Sequence, residues 1–335
     1  MDRYSKAIDL RKLKRDNNWR LEVSTKQREI ATQLLEHTFT VENCPICGSK
    51  ESKYLVSIHG YPYSECHSCE HVYSTAPPNP EKISELYSED DSGNVLSLQS
   101  DIYAQKDLFN QRLEEIASPK VKFASDLIPQ RGLWVDIGAG AGDLVLAASS
   151  MGWNAKGYES DSQLTRFANM MGANVEALFL TEQNMGIVSE ADVVSTINVL
   201  EHIIDPKSFV NSISAKITPG TYYLFEVPRF PSISSLANIC FPNYAARNLY
   251  SPDHLHLFSD YSMNLMLKEA RLNKISTWFF GQDVYELVGN CLLEGDFDNH
   301  HLISKVLALT NDLQEIVDAN GLSDTMLVLA RKSYG

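Results

Sequence analysis

A chain of 335 residues, 44% hydrophobic and 21% charged, has room for more than one folding unit and enough apolar side chains for a large core. Its net charge is −14, although the first forty residues hold nine Lys and Arg against six Asp and Glu, so the body is strongly acidic. Such a body repels phosphate backbones and disfavours a nucleic-acid partner. No run reaches the roughly eighteen apolar residues of a membrane span, and the charged N-terminus lacks the apolar core of a secretory signal. A cytoplasmic location is expected.

In chain order, residues 1–40 read as a polar helical arm with sparse apolar points at Leu10, Leu13, Leu21, Ile30 and Leu34 and a solvated basic face. Residues 41–76 are β-like and rich in Cys, Tyr and Ser. They contain CPIC (Cys44, Cys47), eighteen residues, then CHSC (Cys66, Cys69). Two Cys-x2-Cys knuckles at this separation supply four thiolates to one tetrahedral ion, the pattern of a zinc ribbon. Four protein ligands leave no open position, so Zn2+ here is expected to be structural. His67 and His71 lie close enough in sequence to substitute as ligands. A segment this short builds little core, so the metal is expected to hold it folded.

The segment APPNP breaks the chain before a helix EKISELYS and a polar loop DDSGNVLSLQ. Helices are expected at about 100–117 and 119–128, so that residues 77–130 form a helical linker or lid in which Tyr87 reaches over a ligand. From Leu133 the texture changes. Short apolar strands at 133–137, 154–159, 174–178, 192–197, 221–227, 274–280 and 325–331 alternate with helices at 143–151, 161–171, 205–216 and 260–271. This alternation predicts an α/β fold with a doubly wound, mostly parallel Rossmann-like sheet of seven strands over 131–335. Insertions at 229–258 and 283–322 interrupt it, the second helical, at positions where specificity is usually set.

The first of these strands, LWVDI, runs into GAGAGD and a helix. Gly138, Gly140 and Gly142 offer bare backbone beside a helix N-terminus, which suits close approach of a ligand. A dinucleotide fingerprint requires Gly or Ala at the position of Asp143, and a carboxylate there opposes a pyrophosphate. Glu159, ending the second strand, lies at the distance from the turn at which an acid accepts from ribose hydroxyls.

The stretch VDIGAGAGDLVLAASSMGWNAKGYESD, with Asp136 ahead of the turn, resembles the cofactor-binding half of class I S-adenosylmethionine methyltransferases. ADVVSTINVLEHIIDPKSFV resembles the fourth strand and Val-Leu-Glu-His signature of that superfamily. PDHLHLFSDYSMNLMLKEARL is similar to its His-Leu-x-x-Phe-Ser segment. The arrangement CPICG, CHSC and ELYSE resembles bacterial members with an N-terminal zinc ribbon, many of them associated with polysaccharide or nucleotide-sugar modification. The resemblance implies S-adenosyl-L-methionine as cofactor, held by Asp136, Gly138, Ala139, Gly140, Glu159, Ser160, Asn198, Val199 and Glu201. It implies His202, His254 and His256 as candidates for a base or an orienting group, with Tyr222, Tyr223, Tyr244 and Tyr250 as candidate walls of an acceptor site. The alternative for His202 is a cap of the next helix with Asp205, and for the other two histidines packing against the ribbon or sheet. The acceptor implied is a small molecule or glycan, and the arm and helical insertion each offer a homodimer contact. The sequence departs from the family pattern in four ways. Ala139 replaces the usual Cys. Glu70 replaces a ribbon Gly, with distortion of the second knuckle expected. ALFLTEQ lacks an acid for adenine, leaving Leu178 or Phe179. The chain also ends sooner than the ribbon-bearing sugar C-methyltransferases. An RNA methyltransferase, a non-catalytic cofactor-binding adaptor and a dinucleotide oxidoreductase remain as alternatives.

Overall fold

Two sheets organise the computed structural model, which describes residues 2–4, 17–79, 81–82, 103–181, 183–245, 247–249, 251–295 and 300–334. Its strands are β1 (Arg3–Tyr4), β2 (Ser52–Ile58), β3 (Tyr61–Cys66), β4 (Val72–Ser74), β5 (Leu133–Ile137), β6 (Asn154–Glu159), β7 (Val175–Ala177), β8 (Val193–Ile197), β9 (Tyr222–Pro228), β10 (His256–Leu257), β11 (Leu272–Phe280) and β12 (Thr325–Lys332). The main sheet has the order β1-β11-β12-β9-β8-β5-β6-β7, and only β12 runs antiparallel to its neighbours. The seven expected strands are all present, and β1 adds an eighth at the β11 edge. Helices cover both faces of the sheet, so its central strands are buried on both sides and read as apolar runs rather than alternating ones. β8 and β9 show this, with side chains such as Val193, Val194, Leu224 and Phe225 fully buried.

The chain proceeds from β5 outward through β6 and β7, then returns to β8 on the other side of β5. Consecutive connections therefore diverge at the carboxyl ends of β5 and β8, which opens a crevice there. Local chemistry sets the helices along its rim. Asp161 caps Ser162–Met170 by accepting from the Gln163 and Leu164 amides. Asp205 caps Pro206–Lys216, whose first residue is a proline that needs no donor. Between Lys106 and Leu127 the helix widens into a π turn over Leu113–Ala117. Pro119 follows directly, and lacking an N–H it cannot donate to the carbonyl one turn back.

The small sheet has the order β10-β4-β3-β2. Three of its strands come from the cysteine-rich segment, while β10 comes from the 229–258 insertion, pairing His256 with Tyr73 and Leu257 with Val72. The two sheets share a core, since Cys44, Ile46, Cys66, Cys69 and Tyr73 pack with Val135, Ile137, Val194, Phe225 and Phe258.

The N-terminal helix Asn17–Leu34 is not the solvated arm expected from its charge. Ile30, Ala31 and Leu34 pack on Val56, Ile58 and Tyr61, and the Tyr61 hydroxyl donates to the Ala31 carbonyl. Arg20 is 2% exposed and pairs with Glu286 at 2.5 Å. A sparse apolar stripe suffices because it covers only one edge of a small sheet. Leu10, Leu13, Tyr87, Tyr250, the DDSGNVLSLQ loop and most of the EKISELYS segment lie outside the described residues. Among the described residues no helix is long and apolar enough to cross a membrane.

Candidate active site and metal centre

The four knuckle cysteines converge. Cys44 and Cys69 Sγ lie 3.5 Å apart, as do Cys47 and Cys66, and all four sulfurs fall within 4.8 Å of one another. A tetrahedral zinc with bonds of ~2.3 Å separates its sulfurs by about 3.8 Å, so this donor set fits such an ion. His71 is not in the group; its Nε2 faces His256 Nδ1 at 3.1 Å. The second knuckle is not distorted by Glu70. Its φ of 57° matches the 74° of Gly48, and each residue donates its amide 2.8 Å to the carbonyl of the first cysteine of its knuckle. The side chain tolerates the left-handed backbone at a cost, and the turn keeps its shape.

At the end of β5, Gly138, Gly140 and Gly142 all have positive φ, 70°, 53° and 81°. They serve different purposes. A Cβ at Gly138 would meet Val199 Cγ2 at 2.7 Å, and one at Gly142 would meet the Ala173 and Ala168 methyls at 2.7 and 2.9 Å. A Cβ at Gly140 would meet nothing within 4 Å. Gly142 is therefore required by packing, whereas Gly140 presents bare backbone to open space. Beside it, Glu159 accepts from the Gly140 amide at 2.7 Å, from the Asp161 amide at 2.9 Å and from Ser160 Oγ at 3.1 Å. Its carboxylate ties the end of β6 to the glycine turn. Asn198, at the end of β8, is exposed with φ 53°, and its amide donates to the Glu226 carbonyl. Ala139 is buried at 5% under the turn, and Phe179, beyond β7, is 58% exposed.

Two carboxylates near the turn are engaged by neighbouring side chains. Asp143 is paired with Arg112 at 3.2 Å, so its charge does not stand free against a ligand. Asp136 is 2% exposed and accepts from Ser195 Oγ, which in turn accepts from Trp134 Nε1. Burial pushes its acid up to about 7, partly offset by the Ser195 bond. Lys120 and Glu226, unremarked in sequence, form a buried pair at 2.7 Å beside β9.

Beyond β8, Glu201, His202 and His254 come together, with one ligand atom of each within 4.8 Å of the others. Glu201 is fully buried, neither carboxylate oxygen has a side-chain hydrogen-bond partner among the described residues, and burial, partly offset by its own backbone N–H, pushes its acid up to about 8. Its Oε1 lies 3.9 Å from His254 Nε2. His202 does not cap the following helix; its Nδ1 donates to the Asp253 carbonyl at 3.0 Å. His254 Nδ1 donates to the Asn248 carbonyl at 2.7 Å. The two rings meet edge to face at 4.8 Å. Burial lowers the His202 pKa to about 4 and lowers that of His254 well below its ordinary value, so both rings are neutral at pH 7. His256 lies elsewhere. It is 3% exposed, Nε2 donates to the Ile203 carbonyl at 2.9 Å, and Nδ1 faces His71. It belongs to the ribbon interface. Tyr223 is fully buried with its hydroxyl on Thr196, and Tyr222 lies under Arg331, so neither walls an open site.

Tyr63 on β3 was not singled out in sequence, yet its hydroxyl contacts Ser251 Oγ and donates to the His254 carbonyl, each at 2.6 Å. Nothing local signals this role, because the two residues are far apart in the chain.

Parts of the chain resemble known proteins. Ubiquinone biosynthesis O-methyltransferase from Albidiferax ferrireducens is 26% identical over 122 residues, which is 34% of this chain and 48% of that protein. The chain thus spans about half the length of the curated relative it matches. Magnesium protoporphyrin IX methyltransferase from Synechocystis, solved with bound S-adenosylhomocysteine, superposes with a TM-score of 0.44 at 9% identity, covering 76% of this chain and 94% of that one. A S-adenosylmethionine-dependent methyltransferase from Archaeoglobus fulgidus superposes with a TM-score of 0.45 at 16% identity, covering 67% and 98%. The model of the methyltransferase domain family matches residues 109–277, just over half of the 335 residues, and the chain belongs to that family.

Proposed function

We propose that this protein is a cytoplasmic S-adenosylmethionine-dependent methyltransferase acting on a small-molecule or glycan acceptor, on a sugar or nucleotide-sugar hydroxyl, with a structural Zn2+ on Cys44, Cys47, Cys66 and Cys69. The observation that carries the reading is the bare backbone of Gly140, facing open space beside Glu159 at the switch point of the sheet. An adenosyl amino acid fits it better than a dinucleotide, because β6 ends in an acid placed for ribose hydroxyls and the turn lacks the third glycine of the pyrophosphate fingerprint. Asp136, Gly138, Ala139, Gly140, Glu159, Ser160, Asn198, Val199 and Glu201 are the residues proposed to hold or shape that site.

The cofactor, when bound, supplies an activated methyl group, so the chain's part is alignment and exclusion of water. His202 and His254, neutral at pH 7, are proposed to orient the acceptor or take its proton. The curated relative is named an O-methyltransferase, which supports oxygen as the acceptor atom.

The test is calorimetric titration of the zinc-replete protein with S-adenosylmethionine, S-adenosylhomocysteine and NADH, repeated on Glu159→Ala. The reading expects micromolar binding of both adenosyl compounds, weakened in the variant, and none of NADH. Absence of adenosyl binding overturns it.

A further inference from the structure

We propose that the outward face of the helix His300–Ala319 is a self-association surface, which docks antiparallel on the same helix of a second copy of this chain.

This helix is inverted. A surface helix ordinarily turns its apolar stripe to the core and its polar side to water. Here the inward side is polar, with Thr310, Gln314 and Asp318 buried. Gln314 Nε2 donates to Asp283 Oδ2 at 2.9 Å and to Asp318 Oδ1 at 2.8 Å, and Gln314 Oε1 accepts from the Val284 amide at 3.0 Å. Ser323 Oγ also donates to Asp318, at 2.8 Å. These bonds fix the rotation of the helix about its own axis, because rolling it would bury the same groups without partners.

The outward side is apolar. Leu309, Leu313 and Ile316 are 54%, 45% and 60% exposed and line one stripe, which half-buried Val306 extends toward the N-terminus. Positions 306, 309, 313 and 316 follow the 3-4-3 spacing of a seam between paired helices.

The flank of the stripe identifies what covers it. Lys305 and Asp312 are exposed, share one flank, and stand four residues before and three after Leu309. An antiparallel copy related by a two-fold axis at Leu309 brings the two Leu309 side chains together. It also sets Lys305 of each copy opposite Asp312 of the other, so the ion pair forms twice. A parallel copy levels Lys305 with Lys305 and forms neither pair. A membrane surface suits the stripe less well. A helix lying in a bilayer interface carries many Lys and Arg on its polar side, whereas Lys305 is the only one in this helix, beside Asp312, Glu315 and Asp318, on a chain of net charge −14.

The test needs neither cofactor nor acceptor, so its failure is distinct from failure of the methyl-transfer reading. Sedimentation equilibrium of the full-length, zinc-replete protein at a series of concentrations should give a monomer–dimer equilibrium. Leu309→Lys sets two like charges together on the two-fold axis and should abolish the dimer. Its far-ultraviolet circular dichroism should match wild type, since the position is exposed and lysine forms helix well. Lys305→Asp and Asp312→Lys, made singly, each turn two attractive pairs into two repulsive ones and should weaken association by about 5- to 50-fold. The double exchange should return it to within about 3-fold of wild type. Flotation with phosphatidylcholine–phosphatidylglycerol vesicles is run in parallel. A wild type that stays monomeric overturns the proposal, whether or not it floats with the vesicles. So does a dimer that Leu309→Lys leaves intact, or a double exchange that associates no better than the single variants.

Discussion

Alanine at Gly140 and alanine at Gly142 should have opposite consequences, although the two residues stand two apart in one turn. Both have positive φ, 53° and 81°, so each substitution carries a left-handed penalty of about 1 kcal/mol. At Gly142 the new methyl also meets the Ala173 and Ala168 methyls at 2.7 and 2.9 Å. Neither can rotate away, and such overpacking adds about 1–3 kcal/mol. Gly142→Ala should therefore lose about 2–4 kcal/mol of stability. At Gly140 nothing lies within 4 Å, and the loss should stop near the strain, about 2–4 °C in melting temperature. Ligand affinity should reverse the order. A methyl at Gly140 stands where the adenosyl ligand must approach, and a clash of about 1–3 kcal/mol weakens binding about 5- to 150-fold. Gly142→Ala, where folded, should bind S-adenosylhomocysteine nearly as wild type. Calorimetry at 15 °C and thermal melts read the two axes separately. Wild-type affinity in Gly140→Ala refutes the assignment of this turn as the ligand cradle, whatever the melts show.

Three further outcomes are expected. Glu70→Gly relieves a left-handed side chain at the cost of a freer unfolded chain, and should raise stability by about 0.5–1 kcal/mol with zinc content unchanged; a loss shows that Glu70 makes a contribution its backbone hides. Native zinc-loaded protein should expose two fast-reacting thiols, Cys240 and Cys291, and all six after chelation; six fast thiols without a chelator overturn the cysteine centre. Asp136 titrates near 7 when folded against 3.8 when unfolded, so the folded state binds the extra proton between these values and the acid's contribution falls as pH rises through them. Asp136→Asn keeps the acceptor for Ser195 and removes this dependence, so its stability advantage should widen by about 2–3 kcal/mol from pH 5 to pH 8 in urea unfolding; an advantage that does not change with pH refutes the raised acid.

What could be read from the sequence was local. β5, β8 and β9 announce themselves by apolar runs, and the helices after β6 and β8 by their caps Asp161 and Asp205, so much of the α/β order from Leu133 onward follows from neighbours in the chain. The cysteine knuckles are equally local, since two residues of spacing decide whether two sulfurs can share an ion. Long-range pairing left no such mark. β1 is two residues, Arg3 and Tyr4, whose parallel pairing with Trp278 and Phe279 no periodicity announces. Likewise β10 is only His256 and Leu257, and its partner strand precedes it by about 180 residues. The same limit explains the histidines. His254 and His256 are two apart, and in an extended strand such residues would share one face. His254 lies outside β10, so the packing, not the spacing, puts His254 by Glu201 and His256 against the ribbon. Asp143 was read as a free charge because Arg112, which pairs with it, lies on a helix before β5, on the far side of that strand in sequence.

The placement of β10 gives the cysteine centre a consequence beyond its own fold. The segment 253–259 is held along its length by groups the ribbon supplies. Tyr63 holds the His254 carbonyl, the Ser74 amide donates to the Leu255 carbonyl, β4 pairs with His256 and Leu257, and Ser259 Oγ donates to the Cys69 carbonyl at 2.6 Å. From the other side, the Leu255 amide donates to the Glu201 carbonyl at 2.7 Å, locking the segment to the end of β8. The ring of His254 is therefore fixed between a strand of the main sheet and a sheet whose first loops are closed by four thiolates. A ribbon without its ion loses the knuckle that presents the Cys69 carbonyl, and with it one end of this brace. An ion on the four thiolates, with no open coordination position, would then govern where His254 stands, because the strand next to that histidine pairs with the cysteine-rich sheet.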